Sequence, residues 1–312
     1  MTFDRRAFLK TVSASAAYSI TGSIAASAAM TNPRQDPIQT ASSPLFNLAL
    51  AAYSFKPHFA FYKGKVKKPA GGKSINMFEF IDYCAEQSCG AELTSYFFPP
   101  DADEAYFQKI KRHAFHNGVP IVGTAIGNNF TIPKGEKLDK QIADAKLWID
   151  RAVQMGAPHI RFFAGKKKQL EESPETMAIA IESLRECVDY AEKAGVFIGV
   201  ENHGGLTAAD VIQIIKAIDS DWFGVNLDSG NFVTGDPYEE LVKCAPYAIN
   251  VQIKVKMKSL DGEKYEADLD RVAKIFHDAN YRGNVVLEYE GESPFEKVPG
   301  AMDQMRKLFP TK

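Results

Sequence analysis

The sequence predicts an α/β protein whose fold is a single (β/α)8 TIM barrel, and three observations support this fold class. From residue 46 onward, short apolar runs alternate eight times with longer amphipathic stretches, as expected for βα units that build a parallel sheet. Several amphipathic stretches end at a glycine that suits a left-handed helix cap, namely Gly118, Gly156, Gly195 and Gly283. Polar residues gather at the ends of the later apolar runs, where barrel enzymes carry their sites. An open doubly wound sheet would give similar local patterns, but eight strands close most naturally into a barrel.

The predicted elements follow one another in regular order. The strands are residues 46–55, 91–97, 120–127, 159–165, 196–203, 223–228, 249–256 and 284–290. The helices are residues 77–86, 104–116, 139–155, 174–194, 208–218, 238–244, 267–279 and 299–308. Residues 56–73 form a long loop after the first strand, and such loops usually shape a substrate pocket.

The N-terminus has the pattern of a twin-arginine signal peptide, predicted to span residues 1–28. Arg5 and Arg6 precede a weakly apolar segment that ends in a small-residue cleavage site at residues 26–28. That segment is too polar and interrupted for a stable membrane anchor. We therefore expect the twin-arginine export machinery to be a partner and the mature protein to be periplasmic or otherwise exported. Residues 29–44 are a polar linker, and residues 45–312 are the catalytic domain.

Charge and cysteine content exclude two classes of function. The formal net charge is −2, and removing the first 28 residues, which carry a net +2, leaves about −4 with no long basic block. Nucleic acid is therefore not an expected partner. The four cysteines form no CxxC pair, which argues against a zinc site or a disulfide framework and for buried free thiols: Cys84, Cys89, Cys187 and Cys244.

Four consecutive predicted strands, the fifth to the eighth, aim polar residues at one place: Glu201, Asp228, Gln252 and Glu288. Each residue alone has an ordinary explanation, as a helix cap or a solvated loop residue. Together they form a cluster of carboxylates, which repel one another and need a cation to neutralise them. Such oxygen ligands suit Mg²⁺ or Mn²⁺, and a nitrogen ligand would extend the choice to Co²⁺ or Zn²⁺.

Further polar residues on the same inward face are candidates for substrate binding: Glu92, Arg161, His203 and Lys254. Two alternatives remain open for them. Arg161 and Lys254 can instead neutralise the carboxylates, because charged groups inside a barrel must be paired. His203 is a candidate either for a contact to metal or substrate or for a structural role.

Four motifs carry a resemblance to a known family. They are VENHGG at residues 200–205, NLDSGN at 226–231, NVQIKVK at 250–256 and VVLEYEG at 285–291. In their order and spacing the chain resembles the xylose isomerase-like TIM-barrel superfamily, in particular its sugar phosphate isomerase/epimerase branch, over about residues 48–309.

The resemblance implies one divalent metal held by Glu, Asp, His and Glu from the last four strands. Carried over to this chain, the ligands become Glu201, Asp228, Gln252 and Glu288. The third position departs from the family pattern, because an amide replaces the imidazole. An amide oxygen is a weaker and harder ligand, so the resemblance with this change favours Mg²⁺ or Mn²⁺ over Zn²⁺.

The resemblance also implies a reaction. Family epimerases and isomerases use two glutamates to exchange a proton next to a ketone, and Glu201 and Glu288 are the candidates here. No phosphate-cradling glycine motif is present, and phosphosugars are scarce outside the cytoplasm, so we expect an unphosphorylated sugar or glycoside.

Three other functions are weighed against this one. A lyase or hydrolase of keto-glycosides on the same scaffold begins with the same proton abstraction, and the sequence does not separate the two. The DNA-repair endonuclease branch shares the fold but uses many histidines, whereas this chain has six in total. A non-catalytic sugar-binding barrel is suggested only by the missing metal-ligating histidine.

Overall fold

Eight parallel strands close into a barrel in the computed structural model, which describes residues 37–38 and 43–310. The barrel strands are β1 (Leu45–Ala51), β4 (Gly90–Thr94), β5 (Ile121–Ala125), β6 (His159–Phe163), β7 (Phe197–Glu201), β8 (Phe223–Asp228), β9 (Ala248–Ile253) and β12 (Arg282–Leu287). Two hairpins lie outside the barrel: β2 (Phe61–Tyr62) with β3 (Lys65–Val66), and β10 (Lys256–Lys258) with β11 (Lys264–Glu266). The predicted (β/α)8 barrel is therefore confirmed. The predicted signal peptide lies outside the described residues, as does most of the linker.

Helices cover the barrel between the strands. They are α1 (Met77–Glu86), α2 (Glu104–His116), α3 (Glu136–Met155), α4 (Lys167–Leu170), α5 (Pro174–Ala194), α6 (Ala208–Ile218), α7 (Pro237–Cys244), α8 (Leu269–Asp278) and α9 (Pro294–Leu308). Four of them, α1, α2, α5 and α6, have the predicted bounds. Helix α9 begins five residues before its predicted start, because Pro294 occupies its first turn and Pro299 lies inside it.

Several strands end earlier than their apolar patterns predict. Strand β1 ends at Ala51 and continues as a short 3₁₀ helix, Ala52–Phe55, and β4 ends at Thr94 in the same way. Strands β9 and β12 end at Ile253 and Leu287, so the candidate site residues Lys254 and Glu288 lie one residue beyond their strands.

The interior of the barrel contains both apolar and polar side chains. Ala49, Ala51, Val122 and Val286 form a small apolar cluster of their own, apart from the large core that surrounds it. Side chains alternate along a strand, so Val286 and Glu288 share a face. Glu288 therefore lies beyond this cluster, toward the C-terminal mouth.

One further expectation, that of buried free thiols, is met within the described part of the chain. All four cysteines are buried and free. No helix in the described ranges is long and apolar enough to span a membrane.

Candidate functional site

The register of the barrel strands places the predicted polar residues at different levels along the barrel axis. Glu201 on β7 is level with Asn226, whereas Asp228 on β8 is level with Gln252. Gln252 is in turn level with Val286, so Glu288 lies two residues further toward the mouth. The four residues therefore face the same interior but lie at successive levels toward the mouth.

Glu201 is held by two protein groups. Its Oε2 atom lies 2.7 Å from Nε of Arg161, which reaches upward from the neighbouring strand β6. Its Oε1 atom accepts a hydrogen bond from Nδ2 of Asn231 at 2.6 Å. Burial alone would lower the pKa of Arg161, but the adjacent carboxylate of Glu201 raises the pKa overall, so the guanidinium stays charged.

Lys254 lies among the remaining carboxylates. Its Nζ atom is 3.1 Å from Oδ2 of Asp228, 3.7 Å from Oε1 of Glu288 and 3.6 Å from Oε2 of Glu290. It also donates a hydrogen bond to Oδ1 of Asn231 at 3.1 Å. Burial works to lower the pKa of Lys254, but these carboxylates, Asp228 first, raise it well above its ordinary value.

A line of amides fixes the orientation of Gln252. Nδ2 of Asn250 donates to Oδ1 of Asn226, and Nδ2 of Asn226 donates to Oε1 of Gln252. Nε2 of Gln252 then donates to Oε1 of Glu92 at 3.0 Å. The amide of Gln252 thus has its nitrogen toward Glu92 and its oxygen toward Asn226.

Burial shifts the acidity of three carboxyl groups in this mouth. It raises the pKa of Glu92 to about 7, although Arg161 acts in the opposite direction. It raises the pKa of Asp228 to about 6 against the effect of Lys254, and it raises the pKa of Glu288 well above its ordinary value. Carboxyl groups shifted toward neutral pH can both accept and return a proton.

A cavity of about 200 Å³ opens above these groups. It is lined by seven of the eight predicted site residues, with Asp228 buried behind them: Glu92, Arg161, Glu201, His203, Gln252, Lys254 and Glu288. Aromatic residues form part of its wall, namely Tyr53, Tyr62, Tyr96 and Phe163. His203 lies on its exposed rim with the ring 4.7 Å from that of Phe163. The structure therefore brings all eight residues together.

Some residues of the site were not singled out in the sequence. Asn231 connects Glu201 to Lys254, and the side chain of Asn202 exchanges two hydrogen bonds with the backbone of Asp228. Both asparagines lie within the motifs at residues 200–205 and 226–231, beside the carboxylates. Their position in those motifs was the available indication.

A divalent metal needs several ligand oxygens that converge on one point at about 2.0–2.6 Å. In residues 37–38 and 43–310, no group of three or more His, Cys, Asp and Glu side chains could hold a metal ion. Asp228 Oδ2 accepts no aligned hydrogen bond, but the ammonium of Lys254 lies beside it. The residues as placed do not fit a resident divalent metal, so the four-ligand assignment stays a prediction.

Comparison with known proteins identifies relatives of this fold. The family model described as "Xylose isomerase-like TIM barrel" matches residues 78–309. No curated protein sequence matches the chain.

Three solved structures illustrate the likeness. D-psicose 3-epimerase with D-tagatose from Clostridium cellulolyticum H10 has a TM-score of 0.66 and 14% identity, over 85% of this chain and 100% of that one. The 3-keto-D-glucoside 4-epimerase of E. coli has a TM-score of 0.60 and 15% identity, over 84% and 99%. A xylose isomerase-like TIM barrel protein from Mycobacterium smegmatis in complex with magnesium has a TM-score of 0.63 and 18% identity, over 87% and 98%.

Proposed function

This chain belongs to the xylose isomerase-like TIM barrel family, and on that premise we propose that it is a sugar isomerase or epimerase. It moves a proton next to a carbonyl through an enediolate. One observation carries the proposal: the buried carboxyl group of Glu288, with its raised pKa, lines the mouth cavity 3.7 Å from the ammonium of Lys254.

This pairing supplies the two groups that the reaction needs. A hydrogen next to a ketone is weakly acidic, so its removal requires a positioned base and stabilisation of the oxygen that becomes negative. The carboxylate form of Glu288 takes the proton, the C–H electron pair forms the C=C bond, and the carbonyl π electrons move to oxygen. Lys254 donates a hydrogen bond to that oxygen.

Glu201 is the second carboxylate of the proposal. When the protonated form of Glu201 donates a second proton to the opposite face of the carbon, the product is an epimer, and proton exchange with solvent restores both carboxyl groups. When a proton moves to the neighbouring carbon, the product is an isomer. Arg161 and Asn231 fix the carboxylate of Glu201 by one contact to each oxygen, which orients it for either step.

The polar rim of the cavity supports a sugar as substrate. His203 and Glu92 present hydrogen-bonding groups to the cavity, and Tyr53 and Tyr62 add aromatic surface to its wall. Partial desolvation at the rim lowers the pKa of His203 to about 4, with the positive charges of Arg161 and Lys254 adding to the effect, so its ring is neutral at pH 7. We propose an unphosphorylated sugar or glycoside.

Elimination from a keto-glycoside is the second candidate, and a second cavity beside the first supports it. A neighbouring cavity of about 310 Å³ shares His203, Lys254 and Glu290 with the first, which leaves room for a second sugar ring. Loss of a group next to the enediolate would then cleave the glycosidic bond. A product that keeps the carbon count and linkage of the substrate excludes this reaction.

The test is deuterium incorporation. Wild-type enzyme incubated with candidate ketoses in deuterated water is expected to place deuterium at the carbon next to the carbonyl, as read by NMR. Glu288→Gln is expected to keep the fold and most of the substrate binding but to lose turnover by about 10² to 10⁴, because an amide takes no proton. Turnover by the wild type without deuterium label would contradict the proton-transfer mechanism.

A further inference from the structure

The position of the cations in this mouth points beyond the proposed function. We propose that Lys254, assisted by Arg161, is the resident cation of the site and takes the place that the family resemblance assigns to a divalent metal. The chain then works without such a metal. For its catalytic consequence this inference rests on the proposed function, whereas its metal-binding consequence is independent of it.

The surroundings of Lys254 are those of a bound cation. Four side-chain oxygens surround Nζ at 3.1 to 3.7 Å, from Asp228, Asn231, Glu288 and Glu290. Two of them belong to carboxylates that the resemblance names as metal ligands. The ammonium therefore already occupies the space between Asp228 and Glu288 in which a metal would have to lie.

The third carboxylate of the assigned set is also taken. Glu201 contacts the guanidinium of Arg161 at 2.7 Å with one oxygen and the amide of Asn231 at 2.6 Å with the other. To bind a metal, Glu201 would have to leave a buried ion pair. Breaking a buried pair is costly, because the guanidinium of Arg161 would be left without a charged partner and out of water.

The side-chain oxygen of the fourth assigned ligand, Gln252, is already engaged by a neighbouring amide. Oε1 of Gln252 accepts a hydrogen bond from Asn226 at 2.7 Å, and its Nε2 donates a hydrogen bond to Glu92. Reversing the amide would set its nitrogen against the side-chain nitrogen of Asn226 and lose that hydrogen bond. An imidazole at this position would have offered a ligand without such a constraint.

The chain is shaped to hold the stem of Lys254. A Cβ atom at Gly230 would lie 2.9 Å from both Cβ and Cδ of Lys254, closer than real Cβ contacts. Gly230 therefore leaves the space through which the lysine reaches the carboxylates. The backbone amide of Lys254 also donates to Oγ of Ser229 at 2.9 Å, which fixes the start of the stem. The lysine is thus built into the site at both ends.

Metal binding by the wild type is the decisive measurement. Full-length protein is expected to be purified without stoichiometric divalent metal, as measured by elemental analysis. It should also show no saturable binding of Mg²⁺, Mn²⁺, Co²⁺ or Zn²⁺ in calorimetric titrations at millimolar concentration. Stoichiometric binding that is lost in Glu201→Gln or Asp228→Asn would overturn the inference and establish the family ligand set.

Removing the ammonium gives the complementary test. Lys254→Met leaves Asp228 and Glu288 without their cation, so Mn²⁺ affinity is expected to rise roughly tenfold or more over the wild type. Lys274→Met is the matched control, because it breaks an exposed lysine–carboxylate pair with Asp278 on α8, away from the mouth. If Lys254→Met does not fold, the wild-type titration alone decides. No gain of affinity in folded Lys254→Met would contradict the inference.

The deuterium assay separates this inference from the proposed function. Exchange that continues in wild-type enzyme treated with a chelator supports both. Exchange that appears only after a divalent metal is added overturns the inference and keeps the proposed function. If no ketose exchanges under either condition, the proposed function fails, and the titrations still decide whether Lys254 replaces the metal.

Discussion

His159 occupies the barrel interior below the mouth, and its ring is accommodated by two glycines. A Cβ atom at Gly123 would lie 2.8 Å from its Nδ1, and one at Gly199 would lie 2.5 Å from its Nε2. Neither ring nitrogen has a hydrogen-bond partner among the described residues. Burial lowers the pKa of His159 to about 3, with Arg161 contributing, so the ring is neutral in the folded protein.

This histidine makes stability depend on pH in a defined direction. Its unfolded pKa is about 6.5, so between pH 6.5 and pH 3 the unfolded chain binds a proton that the folded chain does not. The free energy of unfolding contributed by His159 therefore falls as the pH falls. Relative to His159→Gln, wild type is expected to lose about 2 kcal/mol between pH 7 and pH 5, measured by urea denaturation.

Other titrating groups do not obscure the comparison. Glu92, Asp228 and Glu288 have raised pKa values in the fold, so they contribute stability at low pH that is lost as the pH rises. They are the same in both proteins and cancel in the difference. His116→Gln, at an exposed position, is the control and should follow the wild type. Parallel pH curves for wild type and His159→Gln would contradict the assignment.

At the scale of the elements, the connection between β1 and α1 links the pair of strands that closes the barrel, β1 and β12, to the mouth. Ser54, just after β1, receives a hydrogen bond from the backbone amide of Tyr289 and lies 3.4 Å from the carbonyl oxygen of Leu287. The long loop that follows supplies Tyr62 and Lys63 to the cavity wall. It ends at α1, whose first turn therefore anchors a part of the site.

The N-terminus of α1 is closed by a reciprocal cap. Oδ1 of Asn76 accepts from the backbone amides of Phe78 and Glu79, and the carboxylate of Glu79 accepts from the backbone amide of Asn76. Asn76→Ala is expected to lower the free energy of unfolding by about 0.5–2 kcal/mol. Asn76→Asp keeps an acceptor oxygen and should remain close to the wild type. Equal stability of all three proteins in thermal denaturation would show that the cap contributes nothing.

At the scale of the whole molecule, the export prediction concerns the N-terminal signal peptide and is independent of the barrel. The described residues account for the barrel, whereas residues 1–28 lie outside them. We propose export by the twin-arginine route because Arg5 and Arg6 precede a weakly apolar segment and a small-residue cleavage site. Proteins that travel folded need no disulfides, in keeping with the four buried free cysteines.

Export is tested by replacing Arg5 and Arg6 with lysines. The mature wild-type protein is expected to lack residues 1 to about 28, as read by N-terminal mass analysis. The double lysine variant is expected to stay in the cytoplasm, because the route recognises the arginine pair. A parallel exchange of Lys67 and Lys68 for arginine, outside the signal, keeps the charge and serves as the control. An intact N-terminus in exported wild-type protein would refute the proposal.

The barrel and the set of residues at its mouth follow from local patterns in the chain. Alternating βα units and the two-residue period of strands are local properties, so they predict which side chains face the interior. Helix ends at glycines such as Gly156 and Gly195 are local in the same way, and both take the left-handed conformation expected of a cap.

The pairing of these side chains, in contrast, depends on the assembled barrel. Arg161 meets Glu201 because the register sets Arg161 level with Gly199, two residues lower on the adjacent strand, and a long side chain reaches upward across that step. Lys254 reaches Asp228 because Gly230, from the neighbouring connection, leaves room for its stem. Ion pairs between strands depend on the strand register and on the room left for each side chain. Neither can be predicted from the residues of a single strand.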